Sequence, residues 1–372
     1  EHLMTSEYDA LRPPEPPRRR DRIRNRVARR RRGAGGTDGS REMSMVPDAE
    51  FEKLTGEGYY GHPVVKPPPW GDEIALYLFL GGVGGGSGVL AAGAQLTGRE
   101  SLRRNARLGG LAAVGLGAVA LVADLGRPDR FYNMLRTFKV TSPMSVGSWI
   151  LTAFSGGIGV AAAAEVDRMT GERLPLGPLR TVLRLGETPA GLVGGAFGPL
   201  LAVYTAVLLG DTATPTWNAM HRDLPFVFVS SASLAASGLA MVTTPVAEAG
   251  PARSLAVVGV VGDVAATRLM ERRMDSVTAQ PLHHGRPGTL MRWAERLAVV
   301  GGIGALFSRR SRTVSAASGM ALLAASACTR FGVFHAGIES AKDPRYTIIP
   351  QKRRLAARRA AGITDDSITT GY

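Results

Sequence analysis

Eight apolar stretches dominate the middle of this chain, at 74–96, 108–122, 146–164, 190–210, 224–246, 255–266, 297–307 and 314–334. A helix needs about 20 mostly apolar residues to cross a bilayer. The second, sixth and seventh stretches are short as written and must borrow flanking residues to span. Inside lipid each segment has to satisfy its own backbone hydrogen bonds, so helices are the expected form. The fold class that follows is an all-α membrane protein with eight transmembrane helices. Overall composition conceals this, because polar tails dilute the core and only 45% of the residues are hydrophobic.

The polarity profile divides the chain into a basic tail without a fold (1–58), a short pre-membrane segment (59–71), an eight-helix membrane domain (72–341) and a C-terminal tail (342–372). The formal net charge of +14 is concentrated in places: eleven arginines and two acids fall between Arg12 and Arg32. Such a run repels itself and stays solvated. No aromatic residue interrupts it and no nucleic-acid fold follows, so membrane lipid is the expected partner and nucleic acid is not. No cleavable signal peptide is expected. The one cysteine, Cys328, excludes an intrachain disulfide and a cysteine-ligated cluster within this chain.

Eight spans put both termini on one face. That face also carries Arg127, Arg130, Arg136, Lys139, Arg272, Arg273, Arg286, Arg292 and the run Lys352-Arg353-Arg354. The excess of basic residues predicts termini in the cytoplasm of a cell with an inner membrane.

Polar residues at the span ends are the candidates for chemistry. Asp124 ends the second span, where an acid is costly unless it faces protein or water. Arg127 lies three positions on and can pair with it on one helix face. Ser142 and Pro143 have the types that cap and begin a helix, with Trp149 close to the interface. Tyr204 lies about two turns before the end of the fourth span, and a buried phenol needs a partner, either a neighbour or a ligand carbonyl. In the first span, Gly81, Gly85 and Gly88 share roughly one face, which suits close helix approach better than phosphate binding. Asp263 lies inside the sixth span, five positions before Arg268; the two offer either half of a proton route or an internal charge pair. The histidines are His2, His62, His221, His283, His284 and His335. None lies mid-span, so paired axial ligands for haem are not expected, and no metal site is.

Several segments together resemble the polysulfide reductase/NrfD family of membrane subunits. They are Tyr59-Tyr60-Gly61-His62-Pro63 through Trp70, the glycine-rich first span, and Asp124-Leu125-Gly126-Arg127-Pro128 with Arg130-Phe131 and Met134-Leu135-Arg136. Ser142-Pro143-Met144-Ser145-Val146-Gly147-Ser148-Trp149 is the most specific piece, and Arg330-Phe331-Gly332 onward to Thr347 extends the match. The resemblance implies two four-helix bundles that anchor a molybdopterin oxidoreductase. It implies an iron–sulfur electron-transfer subunit and a molybdopterin catalytic subunit as partners, and a quinone, menaquinone or ubiquinone, as exchangeable substrate. It implies no haem and no iron–sulfur cluster in this chain. The family's acid at the end of the second helix falls on Asp124, and its quinone-contacting tyrosine in the fourth helix on Tyr204. A histidine that some members carry in the first helix falls on Tyr77, a phenol that donates a hydrogen bond but relays protons poorly near neutral pH. Arg127, Arg130, Arg136 and Trp149 fall on the face where the partner docks.

Three functions compete on these grounds: a quinone-reactive electron-transfer subunit, a purely structural anchor, and a proton or ion translocator. A phenol and a carboxylate in an apolar pocket suit the two-proton chemistry of a quinone. A transporter would be expected to show matched broken helices in its two halves, and none is evident.

Overall fold

The computed structural model describes residues 63–125, 128–136 and 138–362, with the backbone alone at 128–130. The basic N-terminal tail and the last ten residues lie outside them. Among the described residues the chain is all helix. It runs as α1 (Asp72–Leu96), α2 (Glu100–Ala123), a 3-10 turn (Pro128–Leu135), α3 (Pro143–Met169), α4 (Leu179–Gly210), α5 (Pro215–Ala219) and α6 (Leu224–Thr243). Then come α7 (Gly250–Arg273), α8 (Ser276–His283), α9 (Gly285–Phe307), α10 (Arg312–Lys342) and α11 (Arg345–Ala360).

The eight apolar stretches fall on α1–α4, α6, α7, α9 and α10. Six of these helices are long and apolar enough to cross a membrane. The other two, α7 and α9, have 24 and 23 residues. Their apolar stretches are short, and charged residues such as Arg268, Glu271, Arg292 and Glu295 occupy the rest of each helix. The C-terminal tail is not uniformly irregular, because Arg345–Ala360 forms a helix.

Local chemistry explains several boundaries. Ser142 caps α3 by accepting a hydrogen bond from the Ser145 N–H, and Pro143 opens the helix. Gly98, at φ +66°, makes the three-residue turn from α1 to α2. In α1 the glycines act as spacers. A side chain at Gly85 would collide with the Gly198 carbonyl of α4, and one at Gly88 would stand 2.8 Å from the Gly194 carbonyl. Gly81 has nothing within 4 Å and is not part of that contact.

Helix α1 packs on α2, α4 and α6, while α3 packs on α2 and α4. Beyond them α6 packs on α7 and α10, and α9 on α10 and α7. The starts of α1, α3, α6 and α9 and the ends of α2, α4, α7 and α10 share one face, called here the near face. One hydrophobic cluster lies toward that face, around Tyr77, Trp217, Phe228 and Phe334, and a second around Phe154, Ile158, Leu234 and Leu322 lies toward the far face.

Candidate functional site

The near face brings the predicted residues of the first half together. Asp124 is half-buried at the C-terminal cap of α2, and its Oδ1 accepts a hydrogen bond from the Gly71 N–H at 3.2 Å. It therefore ties the segment before α1 to the end of α2. The expected partner, Arg127, lies outside the described residues.

Tyr77 is buried, with its ring edge 3.5 Å from where a side chain on Gly117 would begin. Tyr204 is half-buried, and its ring lies directly on Gly147, where any side chain would collide with it. That contact gives the glycine of the Ser142–Trp149 motif a reason: it makes room for the tyrosine of α4. Tyr77 and Tyr204 belong to one apolar cluster with Trp70, Leu121 and Leu151. Neither hydroxyl hydrogen-bonds to another described residue, although a buried phenol ordinarily finds a partner. An apolar wall with two unspent phenol groups and a carboxylate at its rim fits a ligand with an apolar ring and carbonyl oxygens.

The chain between α2 and α3 exposes Phe131, Tyr132, Phe138 and Val140, and the first turn of α3 exposes Met144. Trp149 is exposed too, edge-on to Phe138 with ring centroids 6.1 Å apart. Arg136 is exposed and reaches Asn133 at 3.5 Å. The side chain of Arg130 lies outside the described residues. Sequence reasoning named the arginines of this loop, with Phe131 and Trp149, and missed Tyr132 and Phe138, which complete an exposed apolar patch.

The model of the family "polysulphide reductase, NrfD" matches residues 63–254, more than half of the 372. The chain belongs to the NrfD family. The match includes Tyr77, Asp124, Trp149 and Tyr204 and ends at the start of α7, so the segment from Arg330 to Thr347 lies beyond it. No curated protein matches the chain. With its apolar helices, family membership makes this a multi-pass membrane protein, a membrane subunit of the kind found in molybdoenzyme complexes.

In the second half of this NrfD chain, one pairing differs from expectation. Asp263 is buried on α7, but Arg268 is exposed and pairs with Glu295 of α9 at 2.5 Å. Asp263 feels the opposite charge of Arg330 of α10 and the like charge of Glu295 of α9. Arg330 is fully buried, its guanidinium lies 3.8 Å from the centre of the Phe228 ring, and its Nη2 donates to the Phe228 carbonyl at 2.6 Å. Its Nε and Nη1 and the Oδ1 of Asp263 have no hydrogen-bond partner. Asp263 and Arg268 do share a cavity of about 120 Å³, with Glu271, His283, Arg292 and Glu295 toward its mouth.

Three further groups were not legible in the sequence. Trp70 stacks on Trp217 at 5.8 Å, and Trp217 donates to the Val333 carbonyl at 2.8 Å, so the segment before α1 is held against α10. His335 of α10 stands 3.1 Å from Asp72, out of line for a hydrogen bond. At the far face Arg107 is fully buried and bonds Glu165 at 2.8 Å and Gln95 at 2.5 Å, with Glu187 at 3.5 Å; Arg168 bridges both glutamates. Arg107 carries the one sequence signal, a charge directly before the second apolar stretch, which must borrow such flanking residues to span. Among the described residues no group of three or more His, Cys, Asp or Glu is placed to hold a metal.

Proposed function

We propose that this chain is the quinone-interacting membrane subunit of a molybdopterin oxidoreductase complex, passing electrons between an iron–sulfur subunit and the quinone pool. The observation that carries this reading is the near-face wall of Tyr77, Tyr204 and Asp124, with two phenols that hydrogen-bond to no described residue. A quinone accepts two electrons and two protons. Tyr204 donates a hydrogen bond to one of its carbonyl oxygens, Tyr77 lies close to the ring, and Asp124 at the rim holds a proton for delivery. Gly147 fixes the Tyr204 ring, and the surrounding aliphatic side chains keep water from the carbonyls.

In this reading α7 and α9 cross the membrane with the other six, α1–α4 form one four-helix bundle, and α6, α7, α9 and α10 form the other. The termini are cytoplasmic in an inner membrane. The iron–sulfur subunit docks on the near face over Arg127, Arg130, Arg136, Trp149 and the aromatic patch between α2 and α3. It brings the electrons; the molybdopterin subunit lies beyond it.

The test is turnover of a soluble quinone or quinol analogue by the purified complex. Activity that needs this chain supports the reading. An assembled complex that reduces or oxidises no quinone leaves only an anchor.

A second reading rests on the cavity at Asp263. Its charged mouth at the near face and its buried acid suit proton entry to the second bundle, with Asp263 as the acceptor and Arg268, paired to Glu295, at the mouth.

A further inference from the structure

At the far face, away from the quinone wall, Arg99, Arg253 and Arg309 surround a cavity of about 670 Å³. They come from three separate segments: the turn before α2, the first turn of α7 and the turn after α9. Among the described residues none of the three forms an ion pair, whereas Arg103, Arg107, Arg168, Arg180 and Arg184 on the same face all do. Arg253 spends one guanidinium nitrogen on the Val246 carbonyl at 2.9 Å. The Nε of Arg99 is buried without a partner.

The guanidinium groups converge. A side chain built on Gly250 would begin 3.8 Å from Arg253 Nη2 and 4.0 Å from Arg99 Nη1. Arg253 is close enough to both other arginines to be repelled by them. Glu248 is the acid at hand, but its carboxylate is committed elsewhere. It accepts from the Ser101 N–H at 2.8 Å, the Ser101 hydroxyl at 2.9 Å and the Leu102 N–H at 3.3 Å. The start of α7, which no side chain caps, adds its positive end through Gly250 and Pro251.

Apart from Ser254, the other lining side chains are apolar. Val246, Val257, Ala305 and Leu306 border the cavity, and the faces of α7 and α9 beside it expose Val258, Val261, Ile303 and Phe307. The arginines stand at the helix ends, with the exposed apolar faces below them; on the proposed reading that α7 and α9 cross the membrane, on which this inference rests, that is the depth of headgroups. Three like charges with one carboxylate nearby, that of Glu248, whose oxygens already accept three hydrogen bonds, are costly unless an anion joins them.

We infer that this cavity binds a phosphate oxyanion, and specifically the phosphate of an anionic phospholipid whose acyl chains lie along α7 and α9. Arg99 and Arg253 hold the phosphate oxygens, and Arg309 closes the site from the exposed side.

The test is thermal unfolding of the full chain in neutral detergent, titrated separately with dioleoylphosphatidylglycerol, dioleoylphosphatidylcholine and inorganic phosphate. The phosphatidylglycerol is expected to raise the unfolding midpoint, and the phosphatidylcholine to do so far less. In Arg99→Gln/Arg253→Gln the phosphatidylglycerol shift should fall to less than half. Should that double variant fail to fold, Arg309→Gln, whose side chain is exposed, is expected to weaken the apparent affinity by about tenfold. Arg310→Gln, outside the cavity lining, should leave it unchanged. Inorganic phosphate matching the lipid would keep the oxyanion site and make a soluble anion its ligand. Equal shifts from both lipids with none from phosphate, or an undiminished response in the arginine variants, would overturn the inference.

Discussion

Arg107 at the far face of α2 and Arg330 in α10 are both fully buried, yet their surroundings differ. Arg107 meets Glu165, Glu187 and Gln95, and both glutamates are shared with Arg168. Arg330 has one carbonyl, one aromatic face and the nearby Asp263, with two of its nitrogens unpartnered. The first arrangement joins α2, α3 and α4 and spends its charges on one another. The second leaves polar atoms unused, those of Arg330 and the Oδ1 of Asp263, and Asp263 lines a cavity between α7 and α9. Buried charge that meets opposite charge, as Arg107 does with only its Nε unpartnered, fixes helices in place. Buried charge that is left short invites water or a proton, and it lies in the half that the family match does not reach.

The sharpest way to break this comparison is to remove each arginine in turn. Arg107→Met takes the one fully buried cation from Glu165 and Glu187 and leaves them to the partly exposed Arg103, Arg168 and Arg184; a buried partner lost from a charge network costs about 3–5 kcal/mol, and the remaining arginines should hold the loss to the lower end. Arg330→Met gives up one hydrogen bond and a ring contact and leaves Asp263 without its opposite charge, a loss that Asp263 limits by taking up a proton, so its cost should stay below that of Arg107→Met, at about 2 kcal/mol. Unfolding midpoints in detergent measure both. Equal losses would mean that the unpartnered nitrogens of Arg330 carry no information.

A smaller effect is expected at Glu248, which resembles the paired half on a modest scale. Burial alone would raise its carboxyl, but the bonds from Ser101 and Leu102 and the charge of Arg99 outweigh it and hold the group below the usual carboxylate range. A depressed pKa contributes stability that is present above the ordinary value and is lost as pH falls through the folded value. Glu248→Gln should therefore cost about 0.5–1 kcal/mol at neutral pH, as a weakened helix cap. The difference from the parent chain should shrink and vanish as pH falls below the usual carboxylate range. A difference that persists in acid would show the cap to be steric.

How far these features could be read from sequence follows from their range along the chain. The apolar stretches foretold the helices, and Ser142 and Pro143 the start of α3, because both signals are local. The spacing of Gly85 and Gly88 foretold a close approach, although the partner glycines of α4 lie more than a hundred positions away. Asp263 and Arg268 were a poorer guess on geometry alone. Five positions turn a helix by about 140° from the starting face, so one residue points inward and the other out. The true neighbour, Arg330, arrives from α10, and nothing in the α7 sequence announces it. The same holds for Trp70 against Trp217 and for the Tyr204 ring on Gly147, which only the packed helices bring together. The side-chain roles of Arg127 and Arg130 lie outside the described residues.

The central claim is that the near-face wall contacts quinone. It is tested most directly by quinone-analogue turnover across pH in the assembled complex, comparing the parent chain with Tyr204→Phe and Asp124→Asn. Tyr204→Phe removes one hydroxyl and should weaken quinone binding by about 0.5–1.5 kcal/mol, raising KM with a smaller change in kcat. Asp124→Asn should lower kcat and alter its pH profile with KM nearly kept, because it removes a proton carrier at the rim. Both variants, assembled with their partner subunits and turning over at the parent rate at every pH, would contradict the assignment.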